Sequence, residues 1–399
     1  MKHLFPGATG HFSLIQGCYW MTYCILISFS SLYLLDRGFT NTQIGLLLGI
    51  AGLAAAILQP FVGAKGDHLK VLSLRQFTSL PIAAMILCGV GLFLVPAKPV
   101  QAALYMVLLV LLQLLTPLIY SLGMDCLNNH IELNFGLARG IGGGTYALAS
   151  AVCGSLAAVL GARVIPLVLV VAVALMLAFT FTFRQGGPVK STLPKPDALP
   201  QSDGTPFLKK YPQVLPLLIG VILLYTSHNV IMNFPYQIVR SLGCGSAEMG
   251  HYLTLQSLMD IPAMVVFSLL LKRASSRAWV RLTGISFFLH ALLTWLAPNL
   301  PFLMVVQVFE MSGYALYSVS SVYFVNEMVD LCDRVQGQTY FTMANTIGIV
   351  LSSVLGGRLL DLGGASAALC LATVTGAAGM VILWFLLRRK SLRPATNAA

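Results

Sequence analysis

The stretch "RQGGPVKSTLPKPDALPQSDGTPFLKKYP", residues 184–212, is the longest interruption in a chain that is otherwise almost continuously apolar. Rich in Pro, Gly, Ser and Lys, it cannot bury a core and reads as a flexible linker. A helix needs roughly 20 apolar residues to cross a hydrocarbon core. Six runs of that kind precede the linker, near 12–35, 43–64, 77–96, 100–124, 140–161 and 164–183. Six more follow it, near 213–236, 248–271, 279–298, 301–326, 338–360 and 365–387. The pattern predicts an all-α membrane protein with twelve transmembrane helices in two six-helix bundles, residues 1–183 and 213–399, the second ending in a short tail.

Composition supports this. Of 399 residues, 57% are hydrophobic and 9% charged, whereas a soluble domain carries about 25% charged residues on its wet surface. The first run lacks a small-residue cleavage pattern and carries Gln16, Trp20 and several tyrosines. It is expected to stay as a span rather than leave as a signal peptide. The eight cysteines include no C-x-x-C pair, and thiols in apolar runs behave as small hydrophobes. No disulfide framework, metal site or cofactor is expected.

The net charge of +11 is distributed in a way that argues against nucleic acid as a partner. With the runs threaded through a bilayer, nineteen of the 24 Lys and Arg fall on the side of the N-terminus. Only Arg37, Lys98, Arg163, Arg240 and Arg358 fall on the other. This positive-inside bias places both termini and the linker in the cytoplasm of a multi-pass protein, expected in the plasma membrane as a monomer.

The two halves resemble each other. "RGIGGGTYALASAVCGSLAAVLG" (139–161) aligns without gaps on "RVQGQTYFTMANTIGIVLSSVLG" (334–356), and "TNTQIG" (40–45) has a counterpart in "GSAEMG" (245–250). Halves of equal topology joined by a cytoplasmic linker form a parallel repeat, which places solute and coupling groups where the halves face each other. Small residues at helical spacing, Gly143, Ala147, Ala151 and Ser155 in one segment and Gly348, Ser352 and Gly356 in the other, let helices approach closely. They are expected where the halves touch.

Three short motifs carry a family resemblance. "GAKGDHLK" (63–70) resembles the loop signature of the major facilitator superfamily, with Gly63 and Asp67 in place and Lys70 where a later glycine is usual. "FGLAR" (135–139), followed by Tyr146, resembles the lactose permease branch of oligosaccharide:proton symporters. There the arginine, here Arg139, binds sugar hydroxyls, and an aromatic at the position of Tyr146 stacks on the sugar ring. "QVFE" (307–310) resembles that branch's proton-coupling segment, and Glu310 matches its glutamate. Gln307 stands in place of the histidine, the seventh run has no aspartate pair, and Asp260 in the eighth is displaced by about two residues. The resemblance implies a proton-coupled transporter of a small polar solute, a sugar or glycoside.

The residues point the same way on their own. Glu310 lies amid "LPFLMVVQVFEMSGYALYSV" (300–319), and Asp260 is likewise inside a run. An ionised carboxylate in lipid is costly, so such a group must be protonated, paired or facing water, and can take up and release a proton as its surroundings change. Both are proton-coupling candidates. In the first run Gln16, Tyr19, Trp20 and Tyr23 recur at helical spacing, as do His228, Asn229, Asn233 and Tyr236 in the seventh. Amides and rings in mid-span suit a wet cavity and a hydroxyl-rich ligand. Tyr314 extends the surface around Gln307 and Glu310, and Asp125, ending the fourth run, is the expected partner of Arg139. Solute contacts are therefore assigned to Gln16, Tyr19, Tyr23, Asp125, Arg139, Tyr146, His228, Asn233, Tyr236, Gln307 and Tyr314.

Other classes compete. A proton-driven efflux antiporter for amphipathic compounds, or a symporter of nucleosides or aromatic acids, would use similar residues. An integral membrane enzyme would need a motif such as H-E-x-x-H, G-x-S-x-G or a phosphate loop, and none occurs. A receptor or scaffold would carry intramembrane carboxylates without use.

Overall fold

The computed structural model describes residues 7–67, 73–128, 131, 133–183, 206–270 and 275–388. Every regular element among them is helical. They are α1 (Gly7–Tyr23), α2 (Ser30–Asp36), α3 (Asn41–Asp67), α4 (Leu74–Leu94), α5 (Lys98–Asn128), α6 (Phe135–Leu160) and α7 (Ile165–Thr182), then α8 (Phe207–Lys210), α9 (Val214–Asn233), α10 (Pro235–Ser241), α11 (Ser246–Leu270), α12 (Ser276–Trp295), α13 (Leu300–Val306), α14 (Val308–Glu310), α15 (Leu316–Met328) and α16 (Arg334–Arg388).

Among the described residues eight helices are long and apolar enough to cross a membrane, and a ninth forms if the bent pair Gly7–Ser28 and Ser30–Asp36 is one span. The range of α16 holds two helices, because Gly364 at φ +65° and ψ −162° breaks it, a conformation open to glycine and strained for other residues. With α11 and α12, which are long but more polar, these match the twelve apolar runs. Leu87, Val159 and Val305 are among many large side chains left exposed, as a lipid-facing surface requires.

Two spans are interrupted by π turns. One, Cys24–Ser28, follows α1 directly, and the other, Met311–Ala315, follows Glu310. Such turns release backbone groups from the regular ladder and are frequent at functional sites.

The chain forms two compact units, Met1–Thr192 with Asn233–Leu258, and Leu193–Met232 with Met259–Ala399. In the first, α1 packs on α6 and α7, and α4 on α5 and α7. Small residues set these approaches. A Cβ on Gly142 would run into the indole of Trp20, and one on Gly17 would meet Thr145 at 3.1 Å. The start of α11 belongs to this unit as well. Gly154 and Gly250 bring the backbones of α6 and α11 together, and the Gly143 and Ala147 carbonyls accept hydrogen bonds from the hydroxyls of Ser257 (2.9 Å) and Thr254 (3.0 Å). The small stripe of "RGIGGGTYALAS" thus packs on α11.

In the second unit α12 packs on α15 and α16 around a core that includes Tyr225, Phe287, Tyr317 and Phe324. Gly348 lies against α9, where a Cβ would sit 2.8 Å from the Ile222 carbonyl. The stripe in the eleventh run therefore packs within its own unit at that position, because α9 needs the room.

On the linker's far side, α8 is pinned to the turn between α15 and α16. Lys210 Nζ donates to Asp333 Oδ2 at 2.7 Å and lies 3.1 Å from Asp330 Oδ2. The buried Tyr211 hydroxyl lies 2.9 Å from a carboxylate oxygen of each. Hydrogen bonds from Tyr211 and Lys210 hold the Asp330 carboxyl below the usual carboxylate range, and Asp333 raises the Lys210 ammonium above the usual lysine range.

Candidate functional site

In the second unit three buried side chains from three helices converge. Glu310, at the end of α14, has its Oε2 3.5 Å from His228 Nδ1 on α9 and 3.6 Å from His290 Nδ1 on α12. All three are buried. His228 stacks flat on Tyr314, ring centroids 4.8 Å apart and planes 6° apart, which fixes the imidazole. The π turn carries Tyr314 to that position. Gln307, also buried, sits at the break between α13 and α14 and donates through Nε2 to the Leu303 carbonyl at 3.1 Å.

The arrangement places one buried carboxylate between two imidazole rings inside apolar spans. The same three side chains have donor atoms within 4.8 Å of one another and are the group among the described residues that could hold a metal ion.

In the first unit the other expected contacts gather around α1. Arg139, in the second turn of α6, reaches over the Trp20 ring at 4.7 Å from its centroid and donates from Nη1 to the Tyr120 hydroxyl at 2.5 Å. Tyr23 lies 5.2 Å from Trp20 and Tyr19 5.6 Å, centroid to centroid. The Tyr19 hydroxyl pairs with Thr116 Oγ1 at 2.6 Å. Gln16, one turn before Trp20, is buried.

The ring against Arg139 is Trp20, which fills the space Gly142 leaves on α6, and the Tyr146 hydroxyl pairs with Ser28 Oγ at 2.6 Å. Tyr120, the hydrogen-bond acceptor of Arg139, is on the same helix as the half-buried Asp125 and closer to mid-span.

Asn233, buried at the end of α9, and the half-buried Tyr236 on α10 belong to the first unit. Asp260 is half-buried on α11. Lys70 lies outside the described residues, as do the side chains of Gly63 and Asp67. Two central residues, His290 and Trp20, carry no site assignment from sequence. Trp20 was visible on the polar face of the first run. His290 had only the signal of a lone histidine in an apolar run.

An all-helical chain with two pseudo-repeated bundles and polar clusters inside apolar spans defines a membrane transporter of the major facilitator type. The chain belongs to the MFS_1 like family, whose model matches residues 13–370. Among solved structures it is similar to the nucleoside transporter NupG, at TM-score 0.74 and 16% identity over 96% of this chain and 99% of that one. It is also similar to a bacterial homologue of the iron transporter ferroportin in an inward-facing state (0.70, 14%, 96% and 99%). A third similarity is to an autoinhibited peptide transporter of the POT family (0.69, 10%, 99% and 99%). Identities this low speak for the fold alone. No curated protein matches the chain by sequence.

Proposed function

We propose that the chain is a proton-coupled secondary transporter of a small polar solute, a sugar or glycoside, working by alternating access. The observation that carries this reading is the Glu310 carboxylate enclosed between His228 and His290. A carboxylate locked to arginine would be ionised in every state. One flanked by imidazoles can exchange protons as its access to water changes sides. The likeness of "QVFE" and "FGLAR" to the lactose permease branch supports the same assignment, with Arg139 as a solute-binding group and Asp260 as a second proton-coupling candidate. The positive-inside bias supports a plasma-membrane protein with residues 1–183 and 213–399 as bundles and the linker and both termini in the cytoplasm.

The test is uptake into proteoliposomes from a panel of labelled sugars and glycosides, with and without an imposed inward proton gradient. The reading predicts accumulation that collapses with an uncoupler. Accumulation indifferent to the gradient, or driven only outward against it, would contradict import by proton symport. Reporter fusions after Lys210 and after Lys390 should both report the cytoplasm.

A further inference from the structure

The stripe Gln16, Trp20 and Tyr23 on α1 presents polar atoms that the protein leaves unused. Gln16 is 0% exposed, yet neither atom of its amide has a hydrogen-bond partner among the described residues, and the same holds for Trp20 Nε1. A buried donor or acceptor without a partner costs about 1–3 kcal/mol. Three such atoms within one turn and a half of helix mark a surface that is incomplete by itself.

Arg139 completes the picture from α6. Its guanidinium is held against the Trp20 ring and uses Nη1 for Tyr120, which leaves most of its five donors unspent. No carboxylate forms an ion pair with it among the described residues. A guanidinium stays charged at any physiological pH. Were it only an inner-surface anchor it would point to water or headgroups, yet it lies across an aromatic ring whose other neighbours are Tyr19 and Tyr23.

We infer that the first unit takes a solute bearing a carboxylate on a small ring, with Arg139 as its counter-ion, Gln16 as a hydrogen-bonding partner and the Trp20–Tyr23 rings as the flat apolar wall. A planar carboxylate matches the parallel donors of a guanidinium. One guanidinium balances one negative charge, which fits a carboxylate better than a phosphate. The inference rests on the reading of the chain as a transporter of a small polar solute, and narrows that solute from neutral sugars and glycosides to acidic ones.

Two matched pairs test it on the purified full-length protein, with binding measured by equilibrium dialysis and no pH gradient. They are 4-nitrophenyl β-D-glucuronide against the corresponding glucoside, and benzoate against benzamide. For at least one pair the acid should bind at least about tenfold more tightly, the scale of one charge-assisted hydrogen bond. Arg139→Gln, checked for an unchanged melting temperature, should bring the two members within about twofold. Arg139→Lys should retain part of the preference because the charge remains. Equal binding of acid and neutral member, no binding in either pair, or a preference that survives Arg139→Gln would each overturn the inference. Glu310→Gln should keep the acid preference. A loss of proton-driven uptake with the preference intact, or the reverse, separates this inference from the coupling reading.

Discussion

The two units carry opposite halves of an electrostatic problem. In the first, a cation, Arg139, forms no ion pair with a carboxylate among the described residues, and its partners are a phenol and an indole. In the second, a buried carboxylate, Glu310, lies between two imidazoles. Each cluster lies next to a π turn, Cys24–Ser28 beyond Trp20 and Tyr23, and Met311–Ala315 beyond Glu310. A charge meant only for structure would be paired once and for all, since an unpaired charge in a low-dielectric interior is expensive. On the proposed reading the difference is one of moving partners: a solute for the guanidinium, a proton for the carboxylate.

The comparison breaks most visibly at Glu310. Glu310→Gln should lower gradient-driven accumulation by about a hundredfold, the usual scale for removing a positioned proton carrier, while solute exchange across the membrane at equal pH persists. An amide imitates the protonated acid only, so the site still binds and reorients. His290→Gln should act in the same direction but more weakly, about tenfold on accumulation, because His228 still faces the carboxylate. An effect of His290→Gln as large as that of Glu310→Gln would mean that the imidazole carries the proton itself.

The first unit is sharpened by pitting two rings against each other. Trp20→Ala should weaken solute binding by about tenfold, since a lost ring face is worth about 1–2 kcal/mol. Tyr146→Phe removes only the hydroxyl bonded to Ser28 and should cost about 1 kcal/mol of stability with little change in binding. The reverse order, measured by equilibrium dialysis and thermal unfolding, would restore Tyr146 as the stacking ring.

How far the sequence carried the account depends on which residues meet locally. Twelve apolar runs and the Pro- and Lys-rich linker determine the architecture, because a spanning helix must be apolar along its own length. Glu310 stood out for the same reason, as a carboxylate in such a run. His290 did not, since "GISFFLHALLTW" (284–295) reads as a core helix with one satisfied histidine, and its partners come from positions 228 and 310. The contact of Trp20 with Arg139 has a similar cause. The two residues lie on different helices, and the indole reaches Arg139 through the space left by Gly142. The π turns leave no local signature, being set by packing around them.

The smallest expected effect lies outside both clusters. The Asp330 carboxyl is depressed by Tyr211 and Lys210, so its share of stability is present above the unfolded value near pH 4 and lost as pH falls through the lower folded value. Lys210 is raised, and its share is present below about pH 10.4 and lost as pH rises through the higher folded value. Lys210→Met should therefore lower the unfolding temperature by a few degrees at pH 7, about 1 kcal/mol for a partly exposed pair. A smaller drop is expected near pH 3, where Asp330 is losing its charge. Transport by the clusters above should be unchanged.

The central claim, that solute and proton move together through Glu310, is tested most directly by proton flux. Proteoliposomes carrying the full-length chain are placed in weakly buffered medium with no pH gradient, an outside pH electrode follows the medium, and a transported solute is added. Wild type should draw protons inward and make the medium alkaline as solute enters, and Glu310→Gln should admit solute downhill without any pH change. Alkalinisation that persists in Glu310→Gln, or solute entry in wild type with no pH change, would contradict the account.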